Sequence, residues 1–127
     1  MDSKKSLNVL LKSISYFNVK SIGLNANSEA LREQISSKYP NMKFDLVPCD
    51  LIFLDVQEKE SQELRLFGEI HNDTIVLVNN IYKSKSLSIY WEAIKAHEKV
   101  TVTLDLFYCG VIFFRKEQAK EHFKIRI

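Results

Sequence analysis

Leu7, Leu10, Leu11 and Ile14 recur at the spacing of one helical stripe, which predicts a helix opening near Ser3 or Ser6 and ending at Phe17 and Asn18. "VKSIGL" (19–24) reads as a strand. Ser28 is placed to cap a second helix, with Glu29 where the helix dipole favours an acid. Its stripe is thin, Leu31 and Ile35, and Pro40 ends it near Lys38. Alternation of Met42, Phe44 and Leu46 predicts a short strand over 42–47.

The strongest signals follow. "LIFLDV" (51–56) and "TIVLVNN" (74–80) are continuous apolar runs of strand length, the pattern of strands covered on both faces in a parallel sheet. Between them, "EKESQELRLF" (58–67) suits a short helix. Leu87, Tyr90, Trp91 and Ile94 stripe a helix over 84–97, with Lys95 and His97 at its C-terminal end. "KVTVTLDLF" (99–107) alternates and "GVIFF" (110–114) is apolar throughout. Too few residues separate them for a crossover, so they predict an antiparallel hairpin at a sheet edge. The charged tail after Phe114 is expected to cover the sheet end or pair along it. The order α-β-α-β-β-α-β-α-β-β predicts an α/β fold with three layers, α/β/α, around a mainly parallel sheet ending in the hairpin.

Composition narrows the class. At 127 residues with 46% hydrophobic and 27% charged positions, the chain suits one domain with one core. A net charge of +2, evenly spread, makes nucleic acid an unlikely partner. The basic residues of the tail alternate with Glu117 and Glu121, as on a solvated face. Cys49 and Cys109 lie in apolar stretches and are expected as buried free thiols. The first residues lack a signal-peptide core, and no run reaches membrane-spanning length, so the expectation is a cytoplasmic protein with no membrane partner.

"DLIFLDV", "IHNDTIVLVNNI" and "YWEAIKAHEKVTVTLDLFYCGVIFFRKEQAKEHF" carry a resemblance. They are similar to the fourth strand, the fifth strand, and the following helix and last two strands of class I S-adenosylmethionine-dependent methyltransferases of small bacterial type. The resemblance covers about residues 50–127, and more weakly 7–25 as the leading helix and first strand. It implies a Rossmann-like sheet with a cofactor site at the carboxyl ends of its first strands, where ligands bind in open α/β sheets. In such a family a glycine-rich turn after the first strand bares backbone to the cofactor. An acid ending the second strand receives the ribose hydroxyls. Acids after the fourth and fifth strands handle metal or substrate.

This chain departs from that pattern. "GLNANSEA" stands where the family has E-x-G-x-x-x-G, so Leu24 and Ala26 place side chains where bare backbone is needed. The strand over 42–47 ends in Val47-Pro48 without an acid, and a helix and a strand of the family are absent before "DLIFLDV". Asp55 is kept, but Val56 replaces the usual glycine and Asn79-Asn80 replace the paired acids. Neutral amides hold a divalent cation more weakly than carboxylates do. A charge-assisted hydrogen bond contributes roughly 1.5–3 kcal/mol, so losing the acid and one set of loop donors costs roughly 3–6 kcal/mol, or about two to four decades of affinity.

The resemblance with these departures implies a methyltransferase-fold protein that has lost S-adenosylmethionine and catalysis and serves as a binding or interaction module. No cofactor, metal or catalytic residue is expected. Gly23, Asn25 and Asp55 would be the remnant cofactor site, and Asn79 and Asn80 ligand contacts. For Asp55 and the asparagines the alternative is a capping or turn role. The missing elements leave an open sheet edge beside 42–47 or beside the first strand, which predicts a homodimer. The alternative function is an active S-adenosylmethionine-dependent methyltransferase of a small molecule, working through an atypical loop at Asn25 to Ser28. A half-site completed by a partner subunit is a third. Of the remaining chemistry, "YKSKS" (82–86) could draw an anion to the next helix's N-terminus, Tyr90 and Trp91 suit the core, and His71, His97 and His122 lack metal-ligand spacing.

Overall fold

The computed structural model describes residues 3–24, 29–45, 48–55 and 70–125. The helix expected over 58–67 lies outside them. In chain order the elements are α1 (Ser3–Tyr16), β1 (Ser21–Leu24), α2 (Glu29–Lys38), β2 (Lys43–Phe44), β3 (Leu51–Leu54), β4 (Ile75–Asn79), α3 (Lys85–Ala96), β5 (Val102–Asp105), β6 (Cys109–Phe113) and β7 (Glu121–Lys124). The strands form one sheet in the order β2-β1-β3-β4-β6-β5-β7. It is mixed but mostly parallel: β6 runs antiparallel to β4 and to β5, and the other neighbours are parallel.

The two continuous apolar runs occupy the centre. Alternate residues of each go to opposite faces. Leu51, Phe53, Ile75 and Leu77 pack with Leu10 and Ile14 of α1 and Ile35 of α2. Ile52, Leu54, Val76 and Val78 pack with Leu87, Trp91 and Ile94 of α3. The sheet is therefore covered on both sides, which is why every residue of β3 and β4 is buried. The start of α3 is set by Ser84, whose hydroxyl accepts the Leu87 N–H at 3.2 Å.

One close approach fixes the α3 face. A Cβ on Gly110 of β6 would lie 2.3 Å from Trp91 Cη2 and 2.5 Å from Cζ3. The indole of the fully buried Trp91 thus lies directly on the sheet backbone, and only glycine leaves it room.

Two expectations need correction, and a third is narrowed. The strand over 42–47 stops at Phe44, because Asp45 adopts φ 59 and turns the chain away. The Leu24 N–H, which a longer β2 would have bonded through its backbone, reaches Asp45 Oδ1 at 3.3 Å instead. The β5–β6 hairpin is not the sheet's margin: Glu121–Lys124 of the tail pairs outside it, parallel to β5. Lys120 secures that return by donating to the carbonyls of His97 and Val100 at 2.9 and 2.8 Å. Of the two places expected for an open edge, the one beside 42–47 agrees with β2 at a margin of the described sheet; the one beside the first strand does not, because β2 and β3 flank β1, and the other margin is β7.

No described helix is long and apolar enough to cross a membrane.

Candidate functional site

The parallel strands β1 to β4 bring their carboxyl ends to one side of the sheet, and β5 and β7 end there too. Gly23, Asp55, Asn79 and Asn80 all sit at or next to these ends. Asn25 lies outside the described residues.

Gly23 faces the α3 side of the sheet, and that side is filled. β3 lies on the other side of β1 from β2, and residues 48–50 lead into it. On the way Cys49 settles, buried, against the glycine: a Cβ on Gly23 would lie 3.1 Å from its Sγ. This segment is anchored at both sides. The Cys49 carbonyl accepts the Thr74 hydroxyl at 2.7 Å. Asp50 accepts the Lys20 N–H at 2.8 Å, lies 2.9 Å from His71 Nε2, and gives its own N–H to the Ser21 hydroxyl. Partial burial works to raise the Asp50 pKa, but the Lys20 N–H and the imidazole outweigh it and hold the carboxyl below its usual range.

Asp45 was hidden in the sequence by the false extension of β2. It supplies the acid at the end of the second strand that the pattern of 42–47 seemed to lack. Its Oδ2 pairs with Arg32 of α2 at 2.7 Å while Oδ1 takes the Leu24 N–H. The Arg32 hydrogen bond holds its pKa below the usual value. Both carboxylate oxygens are therefore engaged by the chain itself.

Asp55 is half-buried after β3, with Asn79 Nδ2 3.5 Å from its Oδ1. Asn79 is 6% exposed, and its side-chain Oδ1 has no hydrogen-bond partner among the described residues. A buried amide oxygen left without a donor is unusual and makes Asn79 the most distinctive of the expected positions. Asn80 takes φ 59, donates to the Tyr108 carbonyl at 2.9 Å and accepts the Lys83 N–H, as a turn residue does. The N-terminus of α3 beside "YKSKS" is occupied by the Ser84 hydroxyl.

Further along the same side of the sheet is a cleft the sequence did not disclose. It is lined by Tyr82, Asp105, Phe107, Lys124 and Ile125 and has a volume of about 480 Å³. Asp105 ends β5 and is 5% exposed. The Tyr82 hydroxyl donates to its Oδ2, and the Phe107 N–H donates to Oδ1 at 2.9 Å. Burial and this carboxylate push the Tyr82 pKa up to about 12. The sequence carried no signal for it: Asp105 falls with Thr101 and Thr103 on the polar side of the alternation, and only the structure shows that side buried at 103 and 105.

Cys49 and Cys109 are both buried and unbridged. Burial pushes the Cys109 thiol up to about 11, outside the range of a nucleophile. Among the described residues, no three His, Cys, Asp or Glu side chains are grouped to hold a metal ion.

No protein-family model matches the chain, and no curated protein matches it.

Proposed function

We propose that this chain is a methyltransferase-like α/β module that has lost S-adenosylmethionine binding and acts as a non-catalytic binding and interaction protein. The mostly parallel sheet that takes in an antiparallel β5–β6 hairpin after β4 supports the resemblance noted in the sequence. The observation that carries the loss of cofactor is Cys49 packed on Gly23. In that family the glycine turn serves by leaving its backbone bare, whereas here the chain's own Cys49 covers it. Asp45 adds to this, because Arg32 and the Leu24 N–H already engage the two oxygens to which ribose hydroxyls would bind and would compete with them.

Titration calorimetry with S-adenosylmethionine and S-adenosylhomocysteine tests the reading. It predicts no saturable heat below about 1 mM, and a low-micromolar Kd reverses it. A second reading, an active S-adenosylmethionine-dependent methyltransferase of a small molecule, is favoured by the position of Asp45 at the end of β2. It requires Arg32 to release that carboxylate to the ribose. The same titration on Arg32→Ala decides between them, since a freed Asp45 raises affinity only if the rest of the site is sound.

The interaction we assign is homodimerisation at β7. β2 offers two residues of edge, β7 four, and no described strand pairs with the outer side of β7. Phe123 and Ile125 are exposed there. An open strand edge carrying apolar side chains pairs readily with a second copy. Light scattering at dilute concentration should give the dimer mass, and monomer alone contradicts the assignment.

A further inference from the structure

Phe107 carries two features that work against stability. It adopts φ 74, a conformation that bulky side chains rarely take, and the residue is 54% exposed. Glycine or asparagine would fill the tip of this three-residue hairpin loop without strain. Strain of this kind persists where the surroundings hold it, and it concentrates at functional sites. Here the holder is Asp105, which accepts the Phe107 N–H and, on its other oxygen, the Tyr82 hydroxyl. One buried carboxylate thus fixes both aromatic residues. Their rings stand 5.8 Å apart, tilted by 36°, on the wall of the cleft.

We propose that this cleft is a binding site for a small aromatic carboxylate, its ring against Tyr82 and Phe107 and its anionic group at Lys124. The charges favour an anion. Asp105 also lines the cleft, but it is only 5% exposed and each of its oxygens already accepts a hydrogen bond. Lys124 is exposed, and no carboxylate pairs with it among the described residues. Tyr82, with its pKa raised, stays a neutral phenol and does not repel an anion. The space has room for the ligand: about 480 Å³ lies toward the small end of ligand pockets and accommodates one or two rings. Placement agrees, since the cleft opens beyond the carboxyl ends of β4, β5 and β7 where α/β sheets take their ligands. The inference is independent of whether S-adenosylmethionine binds, because it uses none of Gly23, Asp45 or Asp55.

The test is an NMR titration of the full chain with 1-naphthoate, following backbone amide shifts. Saturable shifts are expected at residues 82, 105–108 and 124. Phe107→Gly relieves the backbone strain and removes the ring, so it should stay folded and bind about tenfold more weakly. Lys124→Gln should lose about three- to fivefold for 1-naphthoate and nothing for uncharged 1-naphthol. No saturable shift, tighter binding of a naphthyl ammonium than of 1-naphthoate, or unchanged affinity in Phe107→Gly overturns the proposal.

Discussion

Gly110→Ala asks most of the α3 face. The new methyl would lie 2.3, 2.5 and 2.9 Å from Trp91 Cη2, Cζ3 and Cζ2. None of these atoms belongs to a flexible chain end; the indole is fully buried between α3 and the sheet. Removing glycine from a strand gains about 0.5–1 kcal/mol by lowering the entropy of the unfolded chain. Overpacking a tight core costs about 1–3 kcal/mol, and contacts this short belong at the upper end. The net expectation is a loss of about 2 kcal/mol, or about 8 °C in Tm for a chain of this size. Trp91 is the chain's one tryptophan, so urea unfolding read by its fluorescence reports from the site itself. The midpoint should fall with an unchanged slope. Trp91→Phe removes most of the offending ring, so in that background, followed by circular dichroism, Gly110→Ala should cost at least about 1 kcal/mol less. An equal cost in both backgrounds, or no cost in the native one, refutes the packing argument.

Other expectations follow from individual groups. Neither thiol should react with a disulfide reagent at pH 8 until denaturant is added, because Cys49 and Cys109 are buried and the Cys109 pKa is raised to about 11; prompt reaction of one thiol in the native protein contradicts this. Ultraviolet difference titration should find a tyrosine ionising near pH 12 that Tyr82→Phe removes, and Asp105→Asn should bring it down toward 10. The Arg32–Asp45 pair lowers the Asp45 pKa, so its contribution to stability is present above the ordinary value of 3.8 and is lost as pH falls through the lower folded value. Arg32→Gln should therefore flatten the fall of Tm below pH 4; an unaltered acid limb shows that the pair contributes nothing.

The sheet's centre was legible in the sequence because its physics is local and strong. "LIFL" and "IVLVN" can be buried on both faces only as central strands, and the Leu87–Trp91–Ile94 stripe is unambiguous as a helix, although its Ser84 cap was not read. The short gap between 99–107 and 110–114 left a hairpin as the one connection available. The end of β2 was not legible: Met42, Phe44 and Leu46 alternate as a strand would, and nothing in that pattern marks the left-handed turn at Asp45. The tail was expected to cover the sheet end or pair along it, and it pairs; the bounds of β7 were not legible because its four residues are exposed, and backbone pairing with β5 rather than burial creates it. The cleft is scattered over Tyr82, Asp105, Phe107, Lys124 and Ile125, and only the insertion of β6 between β4 and β5 and the outer position of β7 bring these together. Gly23 was read for what a glycine offers a ligand, whereas the neighbour it admits, Cys49, lies 26 positions later in the chain.

The claim on which the functional account turns is that the ground beside Gly23 and Asp45 is already taken. A crystal of the protein soaked with S-adenosylhomocysteine at about 1 mM, ample for any low-micromolar site, puts it to the test. The account predicts Cys49 still seated on Gly23, Arg32 still on Asp45, and no nucleoside between the strand ends. An adenosine ordered there, with its ribose hydroxyls on Asp45, contradicts it.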